Sequence, residues 1–60
     1  MEYDSKMQYT SQYLQTLELI DLIDLFQQAK LQLDISRNYQ EKKKIRGDIQ
    51  NIRMFLKCGK

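Results

Sequence analysis

Few residues in this chain have the types or the spacing that chemistry needs. Asp21 and Asp24 lie three apart, so on a helix they share a side, as a carboxylate pair for acid–base work would. Nothing accompanies them. The chain has no His, no glycine-rich anion loop and no set of metal ligands. The pair reads better as the solvated stripe of a buried helix, or as ion-pair partners for the basic half of the chain. Cys58 sits in Lys57-Cys58-Gly59-Lys60, and a cysteine among lysines is a candidate reactive thiol. A bystander thiol beyond the last helical seam is the plainer reading, and the ending does not match a prenylation box. No catalytic residue, metal ligand or cofactor is expected, and the chain is read as a non-enzyme.

The charge features point to binding. Lys42, Lys43 and Lys44 precede Arg46, and Lys43, Arg46, Gln50, Arg53 and Lys57 follow helical spacing along one flank. Such a stripe can meet an acidic protein surface or track phosphates. Against nucleic acid, the net charge is only +2, with a pI of about 8.8. No helix-turn-helix spacing, zinc finger or RNA-binding aromatic signature is present. Tyr9 and Tyr13, with Tyr3 and Met7 nearby, either cap the core or supply interface anchors, a use to which tyrosine is suited. Tyr9, Tyr13, Lys43, Arg46, Arg53 and Lys57 are therefore the candidate partner-binding residues.

The elements that must hold these residues are helices. Residues 19–26 read Leu-Ile-Asp-Leu-Ile-Asp-Leu-Phe, apolar on nearly every side of a helix. A helix apolar all round must be buried all round. A chain of 60 residues rarely achieves that alone. A second copy of the chain is the simplest cover. Leu19, Leu22, Phe26, Ala29 and Leu33, with Ile23 beside them, mark one seam. A second seam runs through Ile45, Ile49, Ile52 and Leu56. Together these ten are the expected oligomer core. Extending the first seam forward meets only polar residues and Gly47, so the chain must turn near Ser36-Arg37-Asn38. Ser5-x-x-Gln8 and Asn38-x-x-Glu41 fit capping boxes. The expected fold is all-α, a two-helix antiparallel hairpin over about 5–35 and 39–57 that dimerises as a four-helix bundle. A single kinked helix is the alternative.

Composition agrees. There is no proline, glycine occurs only at positions 47 and 59, and Gln occurs eight times. That is too little punctuation for a β-rich fold. The lone Cys58 excludes an internal disulfide and suits a reducing compartment. No stretch of about 20 apolar residues exists, so no membrane-spanning helix is expected. The acidic start is unlike a secretory signal, which makes the cytoplasm the default location. Residues 1–30 carry five acids and two bases, whereas residues 31–60 carry three acids and eight bases. That order suits antiparallel helices within a chain or between copies. Phe, Tyr, Met, Ile, Asn and Lys total 24 residues against six of Gly, Ala, Arg and Pro, which suggests an AT-rich genome, phage or plasmid. In size and layout the expected architecture resembles the small helical-hairpin dimers that plasmids and phages encode. Residues 1–60 thus read as one interaction module. Its expected role is a small regulatory adaptor that dimerises and binds another protein. The alternative is a nucleic-acid-binding dimer using the basic flank.

Overall fold

Every regular element of the computed structural model, which describes residues 2–58, is helical. The elements are α1 (Ser11–Gln15), α2 (Leu19–Ile35) and α3 (Tyr39–Cys58). The three-residue link at 36–38 folds α3 back along α2, and these two helices form the main contact. The hairpin is therefore a true turn and not a kink. Asn38 caps α3 through the Gln40 N–H, one position short of the Glu41 N–H that a capping box uses: its Oδ1 accepts from Gln40 N–H at 2.9 Å, and its carbonyl accepts from Lys42 N–H at 2.9 Å.

The first long helix expected at 5–35 is instead a strap, a short helix and then α2. Two threonines cause the division. Thr10 Oγ1 accepts from Tyr13 N–H at 3.2 Å, so helix begins only at Ser11 and residues 5–10 stay outside it. Thr16 Oγ1 donates to Tyr13 O at 2.6 Å, offering the backbone a local alternative to continued helix. Glu18 is then extended (φ −77°, ψ 164°), and α2 starts afresh at Leu19. Ahead of α1, Asp4 makes a turn by accepting from Lys6 N–H at its side chain and from Met7 N–H at its carbonyl.

Packing follows from that division. On one straight helix Tyr9 would share a side with Ile20 and Leu31. The breaks free it, and Tyr9 joins Leu14, Leu17, Leu22, Leu25 and Ile52 in the main core. Ala29 and Ile45 are buried along the rest of the hairpin. The line α2 buries is thus Leu22–Leu25–Ala29, rotated from the expected seam. Phe26 and Leu33 are only half-buried, and Leu19 faces out. Leu25 was missed because an unbroken first helix fitted Leu22 and Phe26 equally well. On α3 the expected seam holds better: Ile45 and Ile52 are buried, and Ile49 and Leu56 half-buried.

Candidate interaction surfaces

The N-terminal strap is fastened to α3 by one polar cluster. Asp48, in the middle of α3, is buried although it is an acid. Its Oδ2 accepts from the Tyr3 hydroxyl at 2.5 Å and from Lys44 Nζ at 2.7 Å. Lys44 Nζ also donates to the Met7 carbonyl at 2.5 Å. It lies 5.5 Å from the Tyr3 ring centroid and 5.4 Å from that of Tyr9, within cation–π range. The two rings stack at 5.2 Å, and Tyr13 meets Tyr9 edge-on at 5.8 Å. The Tyr9 hydroxyl in turn accepts from Asp4 N–H at 2.9 Å. An ammonium enclosed by two rings, a carbonyl and a carboxylate is well satisfied, so the cluster holds strap to helix. Burial raises the Tyr3 pKa, and the hydrogen bond and charge of Asp48 raise it further. Burial also raises that of Tyr9, opposed by its bond from Asp4 N–H.

This cluster changes the status of the tyrosines. Tyr9 is 4% exposed and so committed to its own chain, whereas Tyr13 packs on it and keeps part of its surface open. Lys44 was hidden from sequence reasoning inside a lysine triplet. Asp48 was the available signal, because an acid four residues beyond a lysine on a helix is placed to pair with it.

The basic flank stays outside. Lys43, Arg46, Arg53 and Lys57 are all exposed. Arg46, Arg53 and Lys57 border a groove of about 440 Å³ whose apolar lining includes Leu33, Ile49 and Met54. A second hollow of about 390 Å³ joins Lys42, Lys43 and Arg46 to Tyr39, which is 75% exposed. Arg46 borders both, so cations line α3 almost from end to end. Cys58 is exposed at the end of the helix. Among the described residues no cluster of potential metal ligands occurs, and no helix is long and apolar enough to cross a membrane.

The expected oligomer core falls into three groups, with Phe26, Leu33, Ile49 and Leu56 half-buried. Leu22, Ala29, Ile45 and Ile52 are buried within one copy. Leu19 and Ile23 remain exposed, together with Ile20, Leu31 and Ile35 on the same helix. No family model, curated protein or solved structure matches the chain.

Proposed function

We propose that this chain is a non-enzymatic regulatory adaptor, which pairs with a second copy and modulates another protein by binding an acidic, amphipathic segment of it. The observation that carries the reading is the groove between Leu33, Ile49 and Met54 with Arg46, Arg53 and Lys57 at its border. An apolar floor with cations beside it matches a helix or strand that offers leucine-like anchors flanked by carboxylates. Arginine is also the charged residue most enriched among residues that dominate interface affinity. Self-association is supported by the apolar outer face of α2, which one copy leaves uncovered. The exposed single thiol suits the reducing cytoplasm.

Nucleic acid is the second reading, and one feature favours it. Tyr39 stands exposed beside Lys42, Lys43 and Arg46, as a stacking ring beside phosphate-binding cations would. Only one aromatic is present there, whereas single-strand binders stack several bases in succession.

The readings separate by titration. The probes are a fluorescent amphipathic peptide with leucines on one face and glutamates beside them, a single-stranded oligonucleotide and a duplex. Under the adaptor reading the peptide binds best. Replacing Arg46 and Arg53 with Ala then weakens it about 10-fold or more while helicity stays unchanged. Tighter, steeply salt-dependent binding to either nucleic acid, lost in the same double variant, would replace the adaptor by the second reading.

A further inference from the structure

The exposed apolar residues of α2 are not scattered. Leu19, Ile23, Leu31 and Ile35 are 59%, 41%, 59% and 65% exposed, and they stand exactly four residues apart except for one gap. Gln27, also exposed, fills that gap. The five form a single i, i+4 row along the outer side of α2, with apolar pairs placed symmetrically about Gln27. Ile20, 64% exposed, widens the row at one end. The middle of the row, Ile23, Gln27 and Leu31, lies roughly opposite the line α2 buries against the rest of its own chain, and Leu19 and Ile35 lie about 80° to either side of that middle.

We infer that this row is the dimer interface: two copies pack α2 against α2 in antiparallel fashion, with the two-fold axis passing beside Gln27. The inference rests on the self-association proposed above and gives it a surface, a direction and a register. A two-fold contact requires a patch that is complementary to itself. Reversing the row about Gln27 places Leu19 against Ile35 of the second copy, Ile23 against Leu31, and Gln27 against Gln27. A row of spacing four is also the ridge used in the commonest helix–helix packing. Glutamine suits the axis, because its amide carries both donor and acceptor and two copies can exchange hydrogen bonds there. A parallel pair would also align the row but would set every residue against itself.

The area is adequate for a modest dimer. The five exposed apolar side chains offer roughly 500 Å² per copy, so a pair that covered them completely would bury at most about 1,000 Å² before flanking residues are added, near the threshold for a specific interface. A patch of that size is at the upper end of what ordinary monomers expose. In this arrangement the four helices do not surround a shared core. The two α2 helices sit at the centre and the two α3 helices lie outermost, which leaves both basic grooves open.

Cysteine cross-linking in a Cys58→Ser background tests direction and register. Gln27→Cys should form a disulfide-linked dimer under mild oxidation, since facing residues at the axis come within bonding range. Ile23→Cys alone and Leu31→Cys alone should stay monomeric on denaturing gels, while an equal mixture of the two cross-links. Self-linking by Ile23→Cys and by Leu31→Cys would show a parallel pair and overturn the inference. Sedimentation equilibrium tests the surface. Ile23→Asp and Leu31→Asp should each weaken dimerisation about 100-fold or more, because the two-fold applies each change twice, with helicity of the hairpin retained. A wild-type chain that stays monomeric at millimolar concentration would defeat both the inference and the self-association beneath it. A dimer unaffected by both aspartates would leave self-association standing and defeat the α2 row alone.

Discussion

Asp48 is the residue on which the N-terminal strap depends. It holds Tyr3 by one bond and Lys44 by another, and Lys44 reaches on to Met7. Asp48→Ala strands a phenol and an ammonium in a partly buried site. Breaking a buried pair in this way costs about 3–5 kcal/mol when both charges are enclosed. Here the Lys44 side chain keeps 32% exposure, so roughly 2–3 kcal/mol is expected. Asp48→Asn keeps an acceptor and should cost less, and urea denaturation of the two variants gives the comparison. The pH dependence has a definite sign. The folded state raises the Tyr3 pKa, chiefly by burial. Its contribution is full below the unfolded value of about 10 and falls away as pH rises past it. Melting temperature should therefore drop above about pH 10, and Tyr3→Phe should make that drop shallower. An equal drop in the variant would assign the base sensitivity elsewhere. None of this cluster was legible as a unit, because Tyr3 and Asp48 are 45 positions apart and only the fold joins them.

At the scale of the elements, legibility tracked how local the deciding interaction is. The turn at 36–38 and the start of α3 were legible because the apolar seam changes sides there and Asn38 caps its own helix. The break at 16–18 was not. Periodicity ran through it, and the decision came from two threonine hydroxyls and from the gain of burying Tyr9, Leu14 and Leu17 together. The rotation of α2 followed from that break. Leu25→Ala should accordingly cost about 2–5 kcal/mol, as for other fully buried leucines. Leu19→Ala should change the stability of the isolated hairpin by no more than about 0.5 kcal/mol. Thermal melts of dilute protein would distinguish the buried line from the outer row, and equal losses would refute the rotation. Gly47 offers an opposite case. It lies exposed in mid-α3, and a Cβ there would meet nothing within 4 Å. Gly47→Ala should stabilise by about 0.5–1 kcal/mol through helix propensity alone, seen as a raised melting temperature.

For the molecule as a whole, the limiting fact is size. A chain of 60 residues buries only about 60% of the surface its unfolded form exposes, so each core side chain supplies a large share of stability. A two-helix hairpin has one line of contact, and this chain closes the gap by folding its first residues over the hairpin. Tyr9 enters the core itself, Tyr3 and Met7 pack on it, and the Lys44–Asp48 pair holds the strap in place. Removing residues 2–9 should then do far more than trim a frayed end. The truncation deletes one fully committed aromatic, Tyr9, the partly buried Tyr3 and Met7, and one of the two partners of a buried acid. Marginal domains have about 5 kcal/mol to lose, and this loss is of that order. The truncated chain should show weak helicity and a broad, early melt at micromolar concentration, measured by circular dichroism. If the α2 row pairs as inferred, raising the concentration should restore part of that helicity, because binding a second copy stabilises the folded form by mass action. A sharp melt close to that of the full chain would show that α2 and α3 suffice alone, and that the strap is an addition to a core already complete.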